Sequence, residues 1–431
     1  MPSPVRAKSI SKGCSPCYNT CYNLITCYNI RMCRSNIIKP DIYRIFSPAK
    51  TPFMKKFFKR LLYIILLVVA IFSGYAFISG NTWMFKEVAY NFADIDDYKI
   101  FTNNTVATGQ QQPWSLSVNF NKPILPDTVK ALLEKLQSIG LTVVKNDSLL
   151  FEKYWEGYSD TSYSGSFSMA KSITSLLVGA AIKEGRIKSV EEPVSNYLPE
   201  FAGGEKAKLR ILDLLTMSSG SNWDESYSNP FSVTAALYYS SDVYKLATGV
   251  KMIHPPGTLH AYKSGDTQLL GLILEKATGK TLSAYATEKL WQPMGAQLPA
   301  LWSTDKQNGN EKAYCCFNSN ARDFARIGQL MLDSGRWKGN EIITPAYYAS
   351  SVKPCMIACE DGSPCDYYGY QWWLVPYEPG VFYARGILGQ YIIVMPAQHM
   401  VITRLGKHRS PKRIGTVPEE VNALIQWGKT L

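Results

Sequence analysis

A chain of 431 residues with 46% apolar and 13% aromatic residues has enough apolar side chains for one large packed domain or two modest ones. Its formal net charge of +12 is concentrated at one end: residues 1–60 carry twelve Lys and Arg against Asp41 alone, and the remaining 371 residues are close to neutral. That distribution excludes a basic nucleic-acid-binding face on the folded part.

Residues 1–53 are Cys-rich (Cys14, Cys17, Cys21, Cys27, Cys33), repeat Cys-Tyr-Asn three times and show no amphipathic period. Cys14-x-x-Cys17 with Cys21 lacks the second spaced pair of a usual zinc site. A targeting segment belongs at a chain start, so the expectation is that the natural start is Met54 and that residues 1–53 are disordered or foreign to the natural chain. From Leu61 to Phe85 no residue is charged, and Lys55, Lys56, Lys59 and Arg60 stand immediately before this apolar run. Residues 54–85 therefore read as an uncleaved signal anchor, N-terminus cytoplasmic and the rest outside the cytoplasm, in a periplasmic setting. Gly74-Tyr75-Ala76 offers a passable cleavage site, but the apolar run continues past it.

Residues 86–125 are polar and weakly patterned, a linker or strapped extension marked by Gln110-Gln111-Gln112-Pro113. Pro126-Asp127 opens a helix expected to run to Gly140. Leu141 to Tyr158 alternates as a hairpin turning at Asn146-Asp147.

Ser168-Met169-Ala170-Lys171 then places a hydroxyl and an amine three residues apart. The same spacing occurs at Ser9/Lys12, Ser47/Lys50, Ser303/Lys306 and Ser350/Lys353, but only Ser168 precedes a long helical pattern, with Met169, Ile173, Leu176, Leu177 and Ala180 on one face and Gly185 as its stop. On a helix Ser168 and Lys171 share a face in the first turn, where exposed N–H groups and the helix dipole disfavour a protonated amine. Burial lowers a lysine pKa further, which would let the amine accept a serine proton near neutral pH.

A mostly helical region from about Val190 to Tyr348 follows. Strands return at Tyr368 to Val375, Gly380 to Ala384, Tyr391 to Met395 and Met400 to Leu405, and a helix closes the chain from Pro418 to Lys429. Strands at both ends with helices between them imply an α+β fold: one antiparallel sheet from distant segments, with an inserted helical subdomain, spanning residues 126–431. The four histidines, at 254, 260, 399 and 408, form no evident Ser-His-Asp arrangement. Tyr262-Lys263-Ser264, just before a second apolar helix, is the better partner for Ser168, and Gly386-Ile387-Leu388-Gly389-Gln390, ahead of a late strand, lets backbone approach a substrate.

These three elements in this order resemble the serine β-lactamase and penicillin-binding protein superfamily. S-x-x-K matches at Ser168 and Lys171, Tyr-x-Ser at Tyr262 and Ser264, and the inner-strand Lys-Thr-Gly segment falls at Ala384-Arg385-Gly386. Flanking words such as SFSMAKSITSLLVGAAIKEGRI, PPGTLHAYKSGDTQLLGLILEKATG and GQYIIVMP resemble the class C-like hydrolase branch, and within it the 6-aminohexanoate-dimer hydrolase and esterase-like group, over about residues 125–430.

The resemblance implies a serine hydrolase working through an acyl-enzyme. Ser168 would be the nucleophile, Lys171 its base, Tyr262 with Ser264 the proton relay, and the N–H groups of Ser168 and Ile387 the oxyanion hole, with Gly386 in support and no metal or organic cofactor called for. Ala384 stands where β-lactamases and transpeptidases keep the carboxylate-binding lysine, which argues against β-lactam or D-Ala-D-Ala cleavage and favours a small or short peptide-like amide or ester as substrate. A non-catalytic binder of cell-wall peptides is the rival. Substrate-binding candidates are Arg385, Gln390, and Trp223 and Tyr227 in a loop judged too polar to be core, which borders the cleft in the related hydrolases. Cys315, Cys316, Cys355, Cys359 and Cys365 fall in the exported part, where disulfides are expected.

Overall fold

A computed structural model describes residues 52–227, 229 and 231–431. The expectation for residues 1–51, including their cysteines, lies outside the described residues. The chain divides into two units, one reaching to Leu67 and the other running Val68–Leu431. Helix α1 (Pro52–Ile78) crosses this division. Within its Met54–Ile78 segment an 18-residue window reaches a mean hydropathy of 2.6, and the large apolar side chains there are almost all exposed.

The second unit is built on a seven-stranded sheet. Its strands are β1 (Ser115–Leu116), β2 (Ser138–Lys145), β3 (Ser148–Tyr154), β4 (Trp373–Leu374), β5 (Phe382–Gly386), β6 (Gln390–Met395) and β7 (Met400–Gly406), in spatial order β4-β5-β6-β7-β2-β3-β1. Every pairing is antiparallel except β1 with β3. The β2–β3 hairpin turns at Asn146-Asp147, both at positive φ, a conformation that Asn and Asp tolerate. The β7–β2 pairing joins residues more than 250 apart in sequence, so the sheet closes only when both ends of the chain have folded.

Both faces of the sheet are covered, which is why its strands are apolar on both sides. Along β6, Ile392 and Val394 join an interior core, whereas Tyr391, Ile393 and Met395 join a second core on the opposite face. The second core is closed by α2 (Asp127–Lys135), through Val129 and Leu133, and by the C-terminal helix Glu419–Gly428, through Val421, Leu424, Ile425 and Trp427. The interior core holds α3 (Met169–Lys183), α4 (Ser264–Thr278) and α5 (Ala321–Leu332).

Three boundaries differ from the sequence reading. Helix α2 stops at Lys135 because Gln137 takes a positive φ and Ser138 already pairs with Gly406. The stretch Tyr368 to Val375 is a strand only at Trp373–Leu374, since Gln371 turns to positive φ and its N–H bonds back to Leu215 and Gly369 carbonyls. The middle region contains strands as well as helices: Ala300–Ser303 and Phe317–Ser319 pair with each other and with Asn103–Val106 and Ser164–Gly165 in a four-stranded sheet. Through Asn103–Val106 and β1, the polar segment 86–125 is tied onto the domain by backbone pairing at two places.

Candidate active site

Ser168 sits at the start of α3, and the turn before it is held by the Ser166 N–H on the Phe317 carbonyl, with Phe167 at positive φ. Its hydroxyl does not cap the helix. Helix α3 is buried along nearly its whole length, and Lys171 in its first turn is 1% exposed. Its amine reaches three oxygens: Ser168 Oγ at 3.0 Å, Ser264 Oγ at 3.1 Å and the Tyr314 carbonyl at 3.0 Å. Desolvation lowers its pKa to about 8, against the opposing pull of Glu225.

Segment 262–264 enters from the start of α4. The Tyr262 ring lies 5.0 Å from Lys171 Nζ and packs against Tyr368 and Trp373. Burial first, and then the Glu225 charge, hold its phenol well above the ordinary range; the Ser168 hydroxyl and the charges of Arg385 and Arg409 oppose this. Lys263 turns away, its amine donating to the Ser221 carbonyl.

Glu225 is the residue that sequence reasoning missed. Its carboxylate accepts from Ser264 N at 2.7 Å, Ser264 Oγ at 2.6 Å, Trp223 Nε1 at 2.9 Å and the Tyr227 hydroxyl. Trp223, a substrate-binding candidate from sequence, is instead 6% exposed; its indole bonds Glu225 and Thr234, and a Cβ added at Gly265 would fall 2.4 Å from its ring. The loop expected to be too polar for core is in large part buried, since Ser218, Ser219 and Ser221 join Trp223 inside. Tyr227 lies at the cleft with its ring half exposed and its hydroxyl turned onto Glu225. No periodicity marks Glu225; only the fold carries it to Ser264, thirty-nine residues on.

The third wall is β5 and the turn after it. Strand β5 runs so close to the Ser166–Phe167 turn that a Cβ at residue 386 would stand 2.3 Å from the Ser166 carbonyl oxygen, and glycine is what permits the approach. Among the described residues, neither the Ser168 nor the Ile387 N–H donates to a backbone carbonyl. Arg385 is 8% exposed and lies 4.7 Å over the Trp373 ring, with Nη1 buried and unpartnered among the described residues. Gln390 does not reach the cleft: it is wholly buried, and its amide holds the carbonyl and N–H of Gly406 across the sheet. A cleft of about 210 Å³ lies over Ser168, walled by Tyr227, Ser264, Tyr314, Cys315 and Ile387. Cys315 is bonded to its neighbour Cys316, while Cys355, Cys359 and Cys365 are unpaired.

A buried lysine bridging two serines, a tyrosine over it and a glycine-led strand alongside define a serine hydrolase of the β-lactamase/transpeptidase fold. The β-lactamase family profile matches residues 125–423, and the chain belongs to that family. It is similar to the 6-aminohexanoate-dimer hydrolase of Paenarthrobacter ureafaciens, 28% identical over 308 residues that cover 67% of this chain and 76% of that one. It also matches the N-acetylmuramyl-L-alanine amidase of Bacillus subtilis (strain 168), 30% identical over 182 residues, 36% of this chain and 40% of that one. Among solved structures, a Bacillus anthracis chain provisionally described as a 6-aminohexanoate-dimer hydrolase superposes with a TM-score of 0.66 at 24% identity, over 78% of this chain and 91% of that one. A family VIII carboxylesterase superposes at 0.57 and 18% identity, over 74% and 99%.

Proposed function

We propose that this serine hydrolase cleaves an amide or ester bond through an acyl-enzyme on Ser168, and that Lys171 is the base. The observation that carries this reading is the donor count around Lys171. A neutral amine has two N–H groups and one lone pair. The Tyr314 carbonyl can only accept, and Ser264, whose proton goes to Glu225, accepts as well. Both N–H groups are thereby assigned, and the lone pair is left for the Ser168 hydroxyl proton.

In acylation Ser168 Oγ attacks the substrate carbonyl carbon as its proton passes to Lys171 Nζ. The N–H groups of Ser168 and Ile387 receive the negative oxygen. Tyr262, kept protonated by burial and Glu225, donates to the leaving group and is reprotonated from Lys171. Water then repeats the sequence on the acyl carbon and releases Ser168. Arg385 and Arg409 supply positive charge beside Tyr262, and the pKa of Arg413 is lowered by burial and then by repulsion from both, so this end of the site favours a substrate carrying an acidic group. Ala384 in place of an inner-strand lysine argues against a β-lactam or D-Ala-D-Ala substrate.

The Met54–Ile78 helix and the four basic residues from Lys55 to Arg60 support anchoring in a membrane with the hydrolase domain outside the cytoplasm. The test is turnover of p-nitrophenyl esters, D-amino-acid amides and ω-amino-acid dimers by the purified chain. Hydrolysis of one class that disappears in Ser168→Ala supports the reading; turnover that survives the substitution overturns it, and binding of cell-wall peptides without turnover of any class favours the non-catalytic alternative.

A further inference from the structure

Behind Tyr262, away from the Ser168 cleft, the segment from Cys355 to Cys365 folds back on itself. Met356 N–H bonds to the Cys365 carbonyl, Cys365 N–H to the Ile357 carbonyl and Cys359 N–H to the Ser363 carbonyl. This hairpin is fastened to the catalytic side of the domain by the His260 N–H on the Ala358 carbonyl. The fold thus brings three soft or borderline donors together: one ring nitrogen of His260 and the sulfurs of Cys355 and Cys365 all lie within 4.8 Å of one another. His260 and Cys365 are buried, and Cys355 is partly exposed.

We propose that His260, Cys355 and Cys365 form a binding site for a thiophilic divalent cation, zinc above all. Ligand bonds of about 2.3 Å to sulfur and about 2.0 Å to nitrogen set tetrahedral ligand atoms between about 3 and 4 Å apart, so the three donors need close by only about 1 Å around the ion. Imidazole with two thiolates is a donor set that prefers zinc over the hard cations magnesium and calcium. The histidine is already oriented for the task, since Nδ1 stands 2.9 Å from the Thr216 carbonyl, the partner that fixes a metal-binding tautomer and leaves Nε2 as the lone-pair nitrogen. Cys359 lies outside the triangle, its sulfur 3.4 Å from the Tyr367 hydroxyl, so the fourth position belongs to water. The partial exposure of Cys355 gives the ion a way in.

The position gives the ion a consequence for the enzyme. His260 is two residues from Tyr262, and the rings of Tyr367 and Tyr368, which follow Cys365, pack on His260. A cation here pins the hairpin to the segment that carries Tyr262.

The full chain, expressed with zinc and purified without reductant, is expected to hold one zinc per chain by elemental mass spectrometry. Cobalt in its place is expected to show thiolate-to-cobalt charge-transfer absorption. His260→Gln and the pair Cys355→Ser with Cys365→Ser are expected to lose the metal, and Cys359→Ser to keep it. Removing zinc from the unmutated chain with a chelator is expected to lower its melting temperature, a readout that needs no variant to fold. Wild-type protein without bound metal overturns the proposal, as does zinc retained by the double serine variant, or a Cys355–Cys365 disulfide found by non-reducing peptide mapping.

Discussion

Glu225→Gln isolates the charge of the residue through which Ser264 is held, because the amide keeps the shape and an acceptor oxygen for Ser264. Ser264 Oγ lies 2.6 Å from the Glu225 carboxylate and 3.1 Å from Lys171 Nζ, so the two charges are separated by no more than about 6 Å. At an effective dielectric of about 20 their attraction is about 3 kcal/mol, or about two pKa units. Glu225 raises the Lys171 pKa, so its neutralisation lowers that pKa further below about 8. A base works when deprotonated, and the acid limb of kcat/KM against pH is therefore expected to move about two units toward acid. Glu225 also raises the Tyr262 pKa, so loss of its charge moves the phenol's titration toward acid as well. The assay is initial rates on the best substrate from pH 4 to 11. An acid limb that stays at its wild-type position in a folded Glu225→Gln variant would refute the reasoning, since the limb would then belong to another group.

Lys171→Met is expected to abolish turnover while raising stability at pH 7 by about 1–3 kcal/mol. Between about 8 and 10.5 the folded chain binds fewer protons than the unfolded chain, so stability rises with pH across that window and the buried ammonium is a cost below it. Thermal unfolding at pH 7 should show the gain, which should be absent at pH 11. Arg385→Ala should raise KM about ten-fold or more for acidic substrates and leave that of neutral esters unchanged in steady-state kinetics, the loss of one charge-assisted hydrogen bond. Gly386→Ala must displace backbone, because its Cβ meets the Ser166 carbonyl at 2.3 Å; denaturant unfolding should show a loss of about 1–3 kcal/mol, with kcat falling by more than KM changes.

Much of the architecture was legible because it rests on local chemistry. Asn146-Asp147 supplies the positive φ of a tight hairpin turn, the closing helix follows from its periodicity to within one residue at each end, and α3 stops just before Gly185. The α2 boundary was not, because the strand from Ser138 is set by a partner strand more than 250 residues away, which overrides local pattern. In the site, the motif residues could be named from sequence, since Ser168 and Lys171 are one helical turn apart. Glu225 could not be singled out from Trp223 and Tyr227 beside it: all three looked like polar loop, and burial of the indole turned the roles around. Gln390 misled for a related reason, being a polar residue in a glycine-rich turn whose amide the sheet itself uses. The pairing of Cys315 with Cys316 likewise depends on a turn, with Cys316 at positive φ, that no spacing rule announces.

The central claim is that Ser168 is the nucleophile and that Lys171 activates it. Intact-protein and peptide mass spectrometry after exposure to a fluorophosphonate tests this without knowledge of the substrate. The account predicts one covalent adduct, located on Ser168, absent from Ser168→Ala and formed much more slowly in Lys171→Met. An adduct on another residue, or labelling of Ser168 at the wild-type rate in Lys171→Met, would contradict it.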